Sequence, residues 1–446
     1  MSGFGTRPPV SPGGHLTPGF LPTAAFSHLG PTALGVLDLD LPDQTSLVTA
    51  VDGEDRDALV LVRLHGDPLG VLHVADKRIV TSSDELISLA LGQFDTGVMA
   101  HRRRFGCEVS DRSCRGGVSP RIPDTVAVVI ATIGRIDTLD RCLRSLGALT
   151  YEPLEIIVVD NRPAPGTREL ISSWSSRDPR IHYVPEPRGG ASVARNRGVA
   201  ETEADLVAFT DDDVIVDSGW LRWLIAPFVD PQVTVVTGLV LPLELETAAQ
   251  KRFEQYAGFG KGCDRRSYDL CSNRADERLL YPYWGGIFGS GNSVAFRRAE
   301  FVEAGGYDVA LGPGTITQSG EDTDLMSRAI LRGGRLVYEP RSLCWHEHRG
   351  QDDALRRQLF SYGVGLTATL TKAMTHDRRF PRAVVRSIPV AWRLSRRAAR
   401  RAGSPASLPA ELARIERRGM LRGPVRYAWS VPSVRRQGLR EVINGG

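Results

Sequence analysis

Ala204-Asp205-Leu206-Val207-Ala208-Phe209-Thr210-Asp211-Asp212-Asp213 is the stretch on which the reading of this chain turns. Ala204 to Thr210 read as a short apolar strand of β-branched and aromatic residues. The three carboxylates at its end repel one another, so a cation is expected to compensate them. In an open α/β sheet that position is the crevice at the carboxyl end of a strand, where ligands bind. Asp211 and Asp213, two residues apart, can share a hard divalent cation with phosphate oxygens. For an isolated triplet a solvated acidic turn or a helix N-cap is the simpler reading, and the flanking chain reverses that preference.

Upstream, Thr125-Val126-Ala127-Val128-Val129-Ile130-Ala131 is a continuous apolar run, as expected of a strand covered on both faces. A helix carrying Leu139, Cys142, Leu143 and Leu146 follows, then the strand Leu154 to Val159 ending at Asp160. A helix around Thr167 to Trp174, the short strand Ile181 to Val184 and a helix from Ser192 to Ala200 lead back to the acidic triplet. This alternation predicts an α/β fold with a mainly parallel sheet and right-handed crossovers. The strand ends carry groups suited to a nucleotide: Thr132, Gly134 and Arg135 after the first, Asp160 after the second, and Arg195 and Asn196 on the helix behind Arg188-Gly189-Gly190. Helix N-termini and arginine both favour phosphate. Each residue alone also fits a turn or a surface ion pair; their recurrence at strand ends is the signal.

Downstream, Gly289-Ser290-Gly291-Asn292-Ser293 precedes the strand-like Val294 to Phe296 and permits close approach of a ligand, though a plain turn explains it equally well. Ser319-Gly320-Glu321-Asp322-Thr323-Asp324-Leu325 opens a helix, where acids serve the helix dipole as readily as catalysis. Trp345-His346-Glu347-His348 follows the strand Leu336 to Tyr338, and a neutral imidazole there suits a metal shell, a phosphate or an ordinary surface loop.

With 446 residues the chain has room for two or three domains, and 41% hydrophobic and 24% charged residues describe an ordinary globular protein. A formal net charge of +4 is too close to balance for a dedicated nucleic-acid binder. Residues 1–30, rich in Gly and Pro and without a signal-peptide core, read as a disordered lead. No run approaches the ~20 apolar residues of a spanning helix, so a cytoplasmic protein, soluble or peripheral at the inner face of the membrane, is expected. Residues 31–120 read as a small α+β unit and linker: the strands Ala58 to Leu64 and Val71 to Val74 joined by a turn, then an amphipathic helix from Asp84 to about Arg104. His65, His73 and His101 read as surface or core histidines rather than ligands. Among the six cysteines, Cys107/Cys114 and Cys263/Cys271 are close in sequence, so either pair could bind metal or form a bridge. Neither has CxxC spacing, and ordinary reduced thiols are expected. Residues 121–350 are the main α/β domain, and 351–446 are helical and rich in arginine. There, Leu355, Leu359, Tyr362 and Leu366 recur at helical spacing, and 382–401 interleaves arginine with apolar residues and Trp392. That pattern suits either an anionic membrane surface or a solvated helix covering the domain.

Assembled in this order, the pieces resemble family 2 glycosyltransferases of the GT-A fold. The matching stretches are Val128 to Thr132, Val158 to Asn161, Gly190 to Asn196, Phe209 to Asp213, Gly219 to Leu221, Gly291-Asn292, Gly305 to Asp308 and Gly320 to Leu325. The resemblance implies a nucleotide-sugar donor, Mg²⁺ or Mn²⁺, and an acceptor hydroxyl, on a lipid-linked glycan, a polysaccharide or a small molecule. By position it implies that Thr132, Arg135 and Asp160, with Arg195 and Asp212, serve the donor nucleotide. It implies that Asp211 and Asp213 hold metal, that Asp322 with Glu321 beside it supplies the base, and that Trp284, Gly291 and Asn292 build the acceptor side. It places His346 where some members have a metal- or phosphate-binding histidine. Asn161-Arg162-Pro163 and the third Asp depart from the commoner pattern and leave base preference and metal contacts open. The competing classes are a nucleotidyltransferase, for which Ala131 to Arg135 makes a poor phosphate loop, and a non-catalytic module, which the presence of all three acids disfavours.

Overall fold

The computed structural model describes residues 34–41, 44–47, 57–74, 83–111, 114, 124–275, 280–387 and 410–436. The expected N-terminal lead, most of the linker and most of the basic 382–401 segment lie outside these residues.

The chain begins with β1 (Leu34–Leu41), β2 (Gln44–Leu47), β3 (Asp57–Leu64) and β4 (Asp67–Val74), followed by α1 (Ser83–Gln93) and α2 (Asp95–Phe105). The strands lie in the order β2-β1-β3-β4, with β1 and β3 parallel and β3 and β4 joined by the turn at His65-Gly66. Period-2 alternation splits β3 between two cores. Ala58, Val60, Val62 and Leu64 pack with Leu86, Ala90 and Val98 of the helices. Leu59 and Leu61 instead join Leu239, Leu241, Leu243 and Trp345 of the large domain. The single helix expected from Asp84 to Arg104 is interrupted at Phe94, whose ring lies where a side chain at Gly70 would stand.

The large domain contains β5 (Val126–Thr132), α3 (Ile136–Gly147), β6 (Leu154–Asp160), α4 (Pro165–Ser175), β7 (Ile181–Pro185), α5 (Ala191–Ala200), β8 (Leu206–Asp211), β9 (Val214–Val216) and α6 (Trp220–Ile225). It continues through β10 (Val233–Pro242), α7 (Ala248–Ala257), β11 (Arg266–Tyr268), β12 (Val294–Arg297), α8 (Arg298–Glu303), α9 (Glu321–Leu331) and β13 (Arg335–His346). Its strand order is β11-β13-β10-β12-β8-β5-β6-β7, with β9 paired to β13. β7, β6, β5 and β8 are mutually parallel, and β12 runs antiparallel between β8 and β10. Along β5, Val126, Val128 and Ile130 enter the core on one face, and Ala127 and Val129 the core on the other. Both faces are therefore covered, which is why the sequence runs apolar without alternation.

Two pairings place the site. β5 lies between β6 and β8 with Thr132 opposite Asp160 and Ala131 opposite Asp211, so three polar strand ends share one edge. β13 is longer than the expected Leu336 to Tyr338: it extends to His346, pairing His346 with Val214. That register brings a residue expected in a loop against the acidic turn. Finally, α10 (Asp352–His376) and α11 (Ala410–Arg436) pack closely, because a side chain at Gly363 or Gly419 would collide with the facing helix backbone. Leu355 and Leu359 of α10 are buried against Phe253 and Tyr256 of α7.

Candidate active site

A cavity of about 790 Å³ opens over the shared strand edge. Thr132, Arg135, Arg195, Asp211, Asp212, Asp213, Trp284, Gly291, Asn292, Glu321, Asp322 and His346 all line it. Asp160 does not. It is fully buried behind the wall, where its carboxylate accepts from the Arg162 and Ala164 backbone N–H groups and the Tyr183 hydroxyl. Its neighbour Asn161 lines the cavity in its place.

The three aspartates have separate surroundings. Asp211, at the end of β8, accepts from Arg195 Nη2 at 2.8 Å and from Asn292 Nδ2 at 2.9 Å. Asp212 turns inward, accepting from Thr132 Oγ1 at 2.6 Å and from Arg135. Burial pushes its carboxyl up to about 6 against the pull of Arg135. Asp212 therefore braces Thr132 and Arg135, and Asn292 braces Asp211. Asp213 accepts from Arg135 Nη1 through Oδ2 at 2.7 Å. Its Oδ1 is buried and has no hydrogen-bond partner.

That bare oxygen faces His346 Nε2 at 3.4 Å. Behind it, His346 Nδ1 lies 2.9 Å from His348 Nδ1, and His348 Nε2 lies 2.5 Å from Glu254 Oε1. With the His348 Nε2–H donating to Glu254, His348 Nδ1 accepts from His346 Nδ1–H. The Nε2 lone pair of His346 is then turned toward Asp213. Burial lowers the His346 imidazole to about 4, against the pull of Asp213, which keeps it neutral. Two buried acceptors facing each other without a proton between them fit a divalent cation, with Asp211 alongside them in the same cavity wall.

On the opposite side, Gly320 takes φ 102° and turns the first residues of α9 into the cavity; a side chain there would strike the Gly365 carbonyl. Glu321 is buried and accepts from Arg195 Nη1 at 3.0 Å. Asp322 is 28% exposed, and its Oδ1, 3.7 Å from Arg195 Nη1, has no hydrogen-bond partner. Burial, with Glu321 next to it, pushes the Asp322 carboxyl up to about 8 despite Arg195. Arg195 thus spans both groups of acids, touching Asp211 with one nitrogen and Glu321 and Asp322 with the other.

Several lining residues lack a counterpart among the expected site residues: Lys261, Arg349, Arg357 and Tyr362, with Glu254 and His348 behind the wall. Arg349 Nη2 lies 3.8 Å from Asp213. Arg349, immediately after the Trp345-His346-Glu347-His348 motif, and Arg357, eight residues further on, were the available signal.

This sheet order, with the acidic turn after β8 and the helix acids facing it, is the GT-A arrangement expected from the sequence. Residues 127–300 match the family model Glycosyl transferase family 2, so the chain carries a domain of that family. The pre-mycofactocin glycosyltransferase of Mycobacterium tuberculosis is 31% identical over 341 residues, covering 75% of this chain and 66% of that protein. The glucosyl-dolichyl phosphate glucuronosyltransferase of Haloferax volcanii is 27% identical over 192 residues, 42% of this chain and 57% of that protein. The chain therefore spans somewhat less than two thirds of the length of these relatives. Among solved structures, the mannosyltransferase PcManGT from Pyrobaculum calidifontis, in complex with GDP-Man and Mn²⁺, aligns with a TM-score of 0.46 at 15% identity, over 76% of this chain and 97% of that one. Among the described residues no helix is long and apolar enough to cross a membrane.

Proposed function

We propose that the protein is an inverting, metal-dependent glycosyltransferase that moves a sugar from a nucleoside-diphosphate donor to an acceptor hydroxyl. The observation that carries this reading is the cavity in which one guanidinium, that of Arg195, touches both the Asp211 carboxylate and the Asp322 carboxylate. Asp322 accepts the proton of the acceptor hydroxyl while that oxygen attacks the anomeric carbon from the face opposite the diphosphate. A single displacement inverts the anomeric centre. Asp211, Asp213 and His346 would hold Mg²⁺ or Mn²⁺, which offsets charge on the leaving nucleoside diphosphate. Thr132, Arg135 and Asn161 line the nucleotide side, and Arg349 and Arg357 offer donors to phosphate. Trp284 gives the acceptor side a flat apolar wall. Glu321 is a positioning residue that orients Arg195.

A lipid-linked acceptor is supported by the name of the Haloferax relative. A peripheral contact with an anionic membrane is supported by α11, on which Leu421, Val425 and Trp429 are 82%, 53% and 67% exposed at i, i+4, i+8 spacing among arginines. The test of the main reading is the nucleotide released when a panel of nucleotide-sugars is incubated with Mn²⁺ and acceptor. Nucleoside diphosphate is expected; no release here, with pyrophosphate formed instead from a nucleoside triphosphate and a sugar 1-phosphate, would identify a nucleotidyltransferase.

A further inference from the structure

Away from this cavity, the small N-terminal unit gathers His65, His101, Cys107 and Cys114, whose ligand atoms all lie within 4.8 Å of one another. The sequence reading takes these as ordinary histidines and thiols, because the spacing matches no short zinc motif. The fold brings them together nonetheless. His65 sits at the β3–β4 turn, His101 on α2, and Cys107 and Cys114 on the segment after it. We propose that these four residues form a tetrahedral zinc site that pins the N-terminal sheet to its helix, independently of the transfer reaction.

Three observations carry it. His65 Nδ1 lies 3.2 Å from His101 Nε2, His101 Nε2 lies 3.4 Å from Cys114 Sγ, and Cys107 Sγ lies 3.8 Å from His65 Nδ1. Bonds of about 2.0–2.1 Å to nitrogen and about 2.3 Å to sulfur give a tetrahedron with edges of roughly 3.3–3.8 Å, close to these three distances, and the remaining pairs lie within 4.8 Å. Next, each imidazole uses its outer nitrogen elsewhere: His101 Nδ1 is 3.0 Å from Asp67 Oδ2, and His65 Nε2 is 3.2 Å from the Val109 carbonyl. Both partners are acceptors, which fixes the outer nitrogens as N–H donors. The inner nitrogens, His65 Nδ1 and His101 Nε2, are then lone pairs that cannot bond to each other and that face the thiols of Cys107 and Cys114. A carboxylate or carbonyl behind each histidine is the arrangement metal-bound imidazoles adopt. Third, His101, Cys107 and Cys114 are only 3%, 5% and 7% exposed, so the site is closed on the side of these three residues.

Thiolate and neutral imidazole in a closed tetrahedron select Zn²⁺ over the oxygen-seeking Mg²⁺ or Mn²⁺. The chemistry balances without an oxidant: one Zn²⁺ binds, and the two thiols release two protons. The site also reaches the large domain, because Asp67 Oδ1 lies 3.7 Å from Arg341 Nε on β13, the strand that ends at His346.

The test is elemental analysis of the full-length protein, purified under reducing conditions and washed with a weak chelator. About one zinc per chain is expected, retained in Asp211→Ala/Asp213→Ala and lost in Cys107→Ser/Cys114→Ser. In case the serine variant does not fold, the wild-type protein is stripped and refilled with Co²⁺. Intense tetrahedral visible bands with a thiolate charge-transfer band are expected, together with a lower melting temperature for the stripped form. The proposal is overturned if reduced protein takes up no stoichiometric Zn²⁺, if Co²⁺ shows only weak octahedral bands, or if zinc persists in folded Cys107→Ser/Cys114→Ser. A Cys107–Cys114 disulfide whose reduced form still rejects zinc overturns it equally.

Discussion

Replacing Asp322 by Asn removes the ionisable group while keeping its size, and the consequences can be worked out in advance. A positioned base contributes ~10²–10⁴-fold, or about 2.7–5.5 kcal/mol of barrier at 1.36 kcal/mol per decade, and that loss is expected in kcat. Donor affinity should survive, because the donor is held from the other wall of the cavity. The pH dependence supplies a second signature. Burial and Glu321 push the Asp322 carboxyl up to about 8, so the group is mostly protonated at neutral pH. A base works only when ionised, so kcat/KM for the acceptor should climb about tenfold per pH unit from 6 and level off above about 8. In Asp322→Asn that limb should flatten. Linkage gives a third signature of opposite sense. A carboxyl whose folded-state pKa is raised contributes its stability fully below its unfolded value and loses it as pH rises through about 8. Asn cannot lose it, so the variant should gain stability relative to wild type as pH rises from about 4 to about 8, with no further gain above that. The assays are steady-state transfer across pH, calorimetric titration with donor and Mn²⁺, and thermal melts. Near-native transfer by Asp322→Asn, or a wild-type profile whose only rise lies near pH 4, would refute the assignment.

The cation wall and the central arginine give two more outcomes. Glu254→Gln removes the carboxylate that sets the tautomers of His348 and His346. A loss of ~10–100-fold in Mn²⁺ affinity is expected, with little change in donor binding measured without metal. Arg195→Met leaves Asp211, Glu321 and Asp322 without their shared cation, and a loss of ~3–5 kcal/mol of stability is expected in urea unfolding. Equal melting of Arg195→Met and wild type would contradict the role given to that ion-pair network.

The strand-helix order around Asp211 was legible because β5, β6 and β8 are covered on both faces and so read as unbroken apolar runs. The same reasoning should have found β10, all of whose residues are buried; Gly238 and the closing Pro242 broke its outline. β9 and β11, three residues each, are too short for periodicity to show. Which residues would point into the cleft was less legible. Sequence offers no means to see that Asp160 is spent on its own loop, that Asp212 faces Thr132, or that Glu321 faces Arg195, since each depends on a partner at least two strands or a hundred residues away, or on a local turn. His346 was visible as a motif, but its lone pair is set by Glu254 on α7, far along the chain. The histidine–cysteine cluster escaped for the same reason: His65 and Cys107 are 42 positions apart and are joined only by the packing of a helix on a hairpin.

The central claim is that one cavity holds a cation on one wall and a base on the other. Anomalous X-ray diffraction from crystals soaked with Mn²⁺ and a nucleoside diphosphate tests it most directly. A manganese peak inside the cavity beside Asp213 and His346, with Asp322 facing the same space, is the predicted result. A peak outside the cavity, or none at saturating Mn²⁺ with the nucleotide bound, would contradict the account.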